Sequence, residues 1–141
     1  PLEGTESLAV VQSGVTRRVA SGAFGQVVAS LSPGTLAADF PLTTLYQPSD
    51  AGHLCLFVFQ AVVMVADVAA GPMTLEVTNT DQRGVLTFEP EENLNLDAEG
   101  RLPYSVPVFV AKNTRLQMQF TQGGVFATAR YAFTVSVVKL S

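Results

Sequence analysis

The chain has 141 residues, of which 48% are hydrophobic, enough to form the core of one domain. Only 14% are charged, against about 25% in an average soluble domain, so we expect partners or further copies to cover part of the surface. The net charge is −4 and only Arg17 and Arg18 adjoin, which argues against nucleic acid as a partner. The longest apolar run, residues 54–66, is shorter than the roughly 20 residues that span a membrane, so we expect no membrane partner either.

Strand patterns alternate with Pro- and Gly-containing turns along the chain, and no apolar helical spacing is sustained. We predict strands, in chain order, at residues 8–12, 15–20, 26–31, 36–46, 53–65, 73–80, 85–88, 104–111, 114–120 and 126–140. This pattern predicts an all-β domain over residues 26–141, a jelly-roll or β-sandwich of about eight or more antiparallel strands. The alternative is an immunoglobulin-type Greek-key sandwich, although the Cys…Trp…Cys pattern of that fold is absent.

Two of the predicted strands are long and apolar. Residues 53–65 are apolar on both faces, which predicts a central strand with the core on one side and a partner or second layer on the other. Aromatic side chains on long strands dominate buried interfaces, so we select four of them as candidates for an interface between subunits, with ordinary core as the alternative. These candidates are Phe57, Phe59, Tyr131 and Phe133.

Residues 1–25 are predicted to form an N-terminal arm or an edge hairpin. The first residues are polar, and two short strand patterns flank Ser13 and Gly14, a plausible tight turn. As an arm, the segment would bind a neighbouring molecule through Leu8, Val10 and Val11, which would add a strand to an exposed sheet edge. The alternative is an ordinary hairpin on the same domain.

The residues that carry most enzyme chemistry are scarce. His53 is the single histidine and Cys55 the single cysteine. We therefore expect neither a zinc site nor a nucleophile activated by a histidine base that a third group orients. Cys55 lies in an apolar run, which is typical of a small buried side chain. We therefore predict no enzyme activity and no cofactor.

The most polar segment, residues 89–100, is interpreted as a surface loop. Its carboxylates cluster within one loop, whereas glycosidase carboxylates face each other across a cleft. Alternate oxygen-bearing residues suggest calcium as a second interpretation, through Asn93, Asn95, Asp97 and Glu99. The segment departs from the EF-hand pattern, and a solvated loop with its leucines turned inward is the favoured interpretation.

Four segments carry a resemblance to a known class of proteins. In residues 46–59 a polar turn with Ala-Gly leads into an alternating strand, and residues 75–81 form an alternating strand ending in Thr-Asp. Residues 110–116 open a further strand, and residues 131–138 form a closing strand that starts with tyrosine. Together they resemble the trimeric, tumour-necrosis-factor-like jelly rolls of tailed-phage particles, over about residues 40–140.

A small free-standing domain of this class looks most like a head decoration, or cement, protein. The resemblance implies a homotrimer that is assembled in the host cytoplasm, binds the major capsid protein on the outside of the virion and stabilises the shell. The main alternative is a receptor- or glycan-binding tip domain of a phage tail, although the absence of Trp argues mildly against sugar binding. A cellular jelly-roll ligand or adhesin is a third possibility.

Overall fold

The structure, a computed structural model, describes residues 7–12, 15–20, 25–81, 84–122 and 125–141. These ranges contain eleven strands and no helix. The strands are β1 Ser7–Gln12, β2 Val15–Ala20, β3 Gln26–Leu31, β4 Phe40–Tyr46, β5 His53–Val65, β6 Pro72–Asp81, β7 Gly84–Phe88, β8 Leu94–Asn95, β9 Arg101–Val110, β10 Leu116–Gln122 and β11 Arg130–Lys139. The prediction of an all-β domain is confirmed.

Two antiparallel sheets form the sandwich. One has four strands in the order β3-β11-β5-β9, and the other has the order β4-β10-β6-β7 with β8 beside β6. Strand β5 lies between β11 and β9 and pairs with both over nearly its whole length. Its odd-numbered residues from His53 to Val63 are buried, while the even-numbered ones face outward. The predicted bounds of β3 and β5 match the structure residue for residue.

Aromatic rings from both sheets fill the space between the layers. Phe59 of the four-stranded sheet meets Phe120 of the other sheet edge-to-face, with ring centroids 5.3 Å apart. Phe59 also stacks on Phe133 at 5.3 Å, and Tyr131 meets Phe120 edge-to-face at 5.3 Å. These aromatic contacts join the two layers into one core.

The predicted interface role of four aromatic residues is corrected by this packing. Phe57, Phe59, Tyr131 and Phe133 are at most 2% exposed in a single chain. Their bulk bridges the gap of about 10 Å between packed sheets, which the smaller residues of the opposite faces would leave unfilled. Their side chains are buried without any partner, so a subunit interface must use other residues.

The chain changes sheets between residues 36 and 40. Leu36 exchanges two backbone hydrogen bonds with Tyr131, at 2.7 and 3.1 Å, whereas Phe40 begins β4 in the other sheet. The predicted strand 36–46 is therefore shorter in the structure. Strand β11 begins at Arg130 rather than at 126, because a turn with Ala127 at a φ of 47° and a hydrogen bond from Ala129 N to Phe126 O precedes it.

Strands β1 and β2 form a two-stranded sheet of their own, with Ser7 opposite Ala20 and Gln12 opposite Val15. In the described ranges this hairpin is joined to neither sheet of the sandwich. Leu8, Val10 and Val11 lie in β1, while the predicted turn at 13–14 lies outside the described residues. Binding of this hairpin to a neighbour or a capsid stays a prediction.

Asp67 ties together two loops at one end of the sandwich. Its carboxylate accepts hydrogen bonds from Thr128 Oγ1 at 2.6 Å, from Thr128 N at 3.0 Å and from Ala69 N at 2.9 Å. These donors favour the ionised carboxylate, Thr128 Oγ1 most of all, and lower the pKa of Asp67 from 3.8 to about 2. Since the pKa is lower in the folded state, the carboxylate stabilises the fold above pH 3.8, and this contribution disappears as the pH falls towards 2.

We expect Asp67→Asn to lower the melting temperature at pH 7, because the amide group cannot accept all three hydrogen bonds. The difference from the wild type should shrink as the pH is lowered from 4 to 2, measured by thermal unfolding at several pH values. Asp97→Asn, at an exposed loop position, is the control and should change little. A difference from the wild type that stays constant over this pH range would contradict the role given to the Asp67 carboxylate.

The burial of Phe59 can be tested against its outward neighbour. Phe59→Ala should cost about 3–5 kcal/mol of unfolding free energy, because it opens a cavity between the sheets. Val58→Ala should cost about 1 kcal/mol or less, since that side chain is 38% exposed. Urea unfolding at low and high protein concentration measures both. If Phe59→Ala reduced stability only at concentrations where copies associate, the assignment of Phe59 to the core would be wrong.

Candidate assembly surface

The outer face of the four-stranded sheet is apolar and carries no charged side chain over most of its area. Partners directly opposite one another in antiparallel strands project to the same side of a sheet, so the register identifies its members. They are Val27 and Ser30 of β3, Thr134, Ser136 and Val138 of β11, Leu54, Leu56, Val58 and Gln60 of β5, and Pro103, Ser105, Pro107 and Phe109 of β9. We call this set the uncharged face.

Large apolar side chains on the uncharged face lie side by side across the strands. Leu56 stands between Val138 and Pro107, and Leu54 stands opposite Phe109. The exposed fractions are 59% for Phe109, 56% for Val27, 40% for Leu54 and 38% for Val58. A contiguous apolar patch of this kind is typical of a protein–protein contact, whereas a scattered exposed valine or leucine is ordinary.

The Phe109 ring lies close to the backbone of the turn before β5. A Cβ atom at Gly52 would lie 2.5 Å from Phe109 Cζ, closer than such atoms approach, and 3.0 Å from Cε1. With the ring in this position, the turn has room only for glycine at residue 52. The sequence identifies Gly52 as a turn residue. It does not identify Phe109 as its contact, because Phe109 is far away along the chain.

The outer face of the other sheet is mostly polar, with the exposed Val85 as an exception, and its polar side chains form hydrogen bonds with one another. Gln117 Nε2 donates to Thr44 Oγ1 at 3.0 Å, and Gln119 Nε2 donates to Glu76 Oε1 at 2.9 Å. Thr74 adds a hydrogen bond to Asn93 Oδ1 at 3.3 Å. Threonine and glutamine side chains on this face suit contact with water, so the two outer faces of the sandwich have opposite character.

The free edge of β9 is poorly suited to pairing with another strand. Pro103 and Pro107 lie opposite Gln60 and Leu56, and β9 stays paired with β5 at both positions. Proline has no N–H to donate, so in a paired strand its nitrogen faces the free edge. Two N–H donors are thus missing from this edge. Addition of another strand here is therefore unfavourable, and contact through the face of the sheet is favoured instead.

The two candidate reactive side chains have structural partners. His53 Nδ1 lies 2.9 Å from Ser141 O, and His53 Nε2 lies 3.2 Å from Asp50 Oδ1. The Cys55 thiol is completely buried, contacts His53 O at 3.7 Å, and has a pKa raised by burial. A buried thiol with a raised pKa is a poor nucleophile, in agreement with the structural interpretation of Cys55.

The segment 89–100 contains the two-residue strand β8 and is otherwise the solvated loop that the sequence predicts. Leu94 and Leu96 are at most 1% exposed, while Asn93, Asn95, Asp97 and Glu99 face outward. In the residues that the structure describes, no three His, Cys, Asp or Glu side chains gather where they could hold a metal ion. The described part of the chain also has no helix long and apolar enough to cross a membrane.

Sequence reasoning found the second apolar face of β5 but chose the wrong side chains for an interface. The alternation at 53–65 already separates Leu54, Leu56 and Val58 from the buried set. Val27 and Phe109 were missed, because only the pairing of β3 and β9 with the central strands places them beside this face. The four selected aromatic residues lie in the core, and the side chains of Leu8, Val10 and Val11 lie outside the described residues.

No protein-family profile matches the chain, and no curated protein matches it. Among solved structures, the chain is similar to one of infectious bursal disease virus, Gx strain, with a TM-score of 0.46, 9% identity and coverage of 96% of this chain and 37% of that one. A second chain, from the viral particle of the same virus, has a TM-score of 0.42, 13% identity and coverages of 97% and 36%. The vertex protein of PRD1 has a TM-score of 0.41, 15% identity and coverages of 83% and 100%. The chain thus spans well under half of each bursal disease virus chain.

The contact between Gly52 and Phe109 gives a direct test of this surface. We expect Gly52→Ala to move the Phe109 ring, which would change the ring's NMR chemical shifts and remove its cross-peaks to residue 52. Stability should change by about 1 kcal/mol or less, because the ring is exposed and free to rotate away. Gly100→Ala is the control, since a Cβ there meets nothing within 4 Å. Unchanged Phe109 shifts in Gly52→Ala would refute the described packing.

Proposed function

We propose that this chain is a structural virion protein, which binds the outside of a phage capsid as a homotrimer and stabilises it. The observation that carries the proposal is the uncharged face, a nearly charge-free outer surface on a sandwich whose other outer face is polar. A single domain gains nothing from exposing this surface to water, whereas association of copies removes it from water. The resemblance of residues 40–140 to trimeric phage jelly rolls supports the same assembly.

The area of the uncharged face can be compared with the area that a stable interface buries. Four strands spaced about 4.8 Å apart and about eight residues long present roughly 500 Å². A stable interface of standard size buries about 800 Å² on each partner. The uncharged face therefore supplies more than half of the area needed, and the flanking loops have to contribute the remainder.

One end of the sandwich suits contact with a shell. There Val68 is 91% exposed and Val125 is 74% exposed, on the two loops that Asp67 joins through Thr128. A loop pair braced in this way loses little conformational freedom when it binds. On a capsid, such modest contacts repeat on every trimer and act together. We assign this end, with β1 as the arm, to contact with the major capsid protein.

The oligomeric state of Val58→Lys tests the proposal. Val58 lies at the centre of the uncharged face, and a lysine there leaves the core untouched but would place a charge inside the interface. We expect a trimer for the wild type and a shift to monomer for the variant, with at least about a tenfold rise in the concentration needed for assembly. Light scattering after size-exclusion chromatography measures both.

Val85→Lys is the matched control, because it is the same substitution at a 66% exposed valine of the polar sheet. It should assemble as the wild type does. A wild-type chain that is monomeric at all accessible concentrations would overturn the homotrimer. A monomer that binds host cells would favour the tail-tip function instead.

A further inference from the structure

We propose that a groove beside the uncharged face binds the acidic loop of a second copy of the chain, with Arg101 receiving its carboxylates. The inference rests on the proposed homotrimer and names the contact that completes its interface. The occupant is residues 89–99 of the neighbouring subunit. The argument combines the shape of the groove, the distribution of charge and the symmetry of a ring.

The groove crosses the four-stranded sheet where β3 has ended. Its volume is about 260 Å³, and its floor is formed by Val62 and Ala132, which stand opposite each other on β5 and β11. Arg101 closes one side from β9, and the loop after β3 closes the other side. The remaining polar lining residues are Ser32, Gln60 and Thr134. A guanidinium, an amide and two hydroxyl groups around a small apolar floor suit a carboxylate on a short aliphatic stem.

Arg101 and the acidic loop have no opposite-charge partner among the residues that the structure describes. Among the side chains that the structure describes, the single contact between a basic and an acidic group joins His53 and Asp50. Arg101 therefore forms no ion pair with a described carboxylate, even though Glu99 shares a depression with it. The acidic loop is in the same situation, since its five carboxylates bond to no described cation; they are Glu89, Glu91, Glu92, Asp97 and Glu99.

The acidic loop is anchored, so it presents its carboxylates at little entropic cost. Leu94 and Leu96 are buried beneath it, and Leu96 O accepts a hydrogen bond from Asp67 N at 2.9 Å. Glu91 and Glu92 are exposed and lie beside the start of β9. They line a depression with Leu102, Pro103 and Tyr104, which we call the acidic flank, and neither glutamate lines the groove.

A three-fold ring needs this kind of arrangement. A two-fold contact brings one patch against itself, whereas a closed ring of three joins two different patches head to tail. Here the face with Arg101 is one patch and the acidic flank is the other, and their charges are opposite. A copy whose loop enters the groove of the next copy leaves its own groove free for the third.

Charge reversal tests the contact. Arg101→Glu should raise the concentration at which half of the chain is trimeric by about tenfold or more, because each of the three interfaces changes from attraction to repulsion. Arg115→Glu is the matched control at an exposed arginine directly before β10 of the other sheet, and should change this concentration by less than about twofold. Light scattering over a dilution series at low salt gives the values, and thermal unfolding checks that each variant is folded.

The decisive variant combines Arg101→Glu with Glu91→Arg and Glu92→Arg. In a head-to-tail ring this chain restores an opposite-charge pair at every interface, so assembly should recover to within about threefold of the wild type. Failure to recover would overturn the acidic loop as the occupant, as would tight binding of a free acidic sugar such as sialic acid to the groove of the trimer.

The outcome also separates this contact from the homotrimer itself. If Val58→Lys dissociates the trimer while Arg101→Glu leaves it intact, the proposed function stands and the groove contact is wrong. If the wild type never forms a trimer, the homotrimer fails together with the contact.

Discussion

The double-sided apolar character of β5 is the constraint on which the rest of the molecule depends. Its odd-numbered side chains, such as Phe57 and Phe59, form the centre of the core, and its even-numbered ones form the middle of the uncharged face. Because the side-chain period of a strand is two residues, a shift of register by one residue would exchange these two roles. Continuous pairing with β9 and β11 prevents such a shift, so one strand determines both the core and the uncharged face.

The remaining surfaces show how an apolar face can be exposed without indiscriminate association. On the outer face of the five-stranded sheet, polar side chains form hydrogen bonds with one another, as Gln119 does with Glu76. The edge of β9 has lost donors at Pro103 and Pro107, and strand addition there is unfavourable. What remains is a sheet face with serine and threonine interspersed among its apolar side chains. Packing on such a face depends on shape, so it is more selective than the pairing of open backbone edges.

The sequence determined the strands better than the roles of their side chains. Alternating or continuous apolar runs bounded by turn residues placed β3 and β5 correctly. The start of β11 was missed, because the turn at Ala127 carries no Gly or Pro signal. Where both faces of a strand are apolar, periodicity alone does not show which one is core. Volume does show it here: rings from both sheets are needed to fill the space between the layers, which is why Phe59 and Phe133 are buried and Leu54 and Val58 are not.

The distribution of charge supplies what the apolar face lacks. An apolar face alone does not specify its partner, its orientation or the number of copies, because hydrophobic contact is not directional. Charges at its border supply direction, since they favour one docking geometry and oppose others. In this chain Arg101 borders the face, while the acidic side chains of 89–99 stand on the adjacent flank. Opposite charges on two neighbouring patches of one molecule allow a head-to-tail contact between copies, and the ring proposed above is the closed arrangement of such contacts.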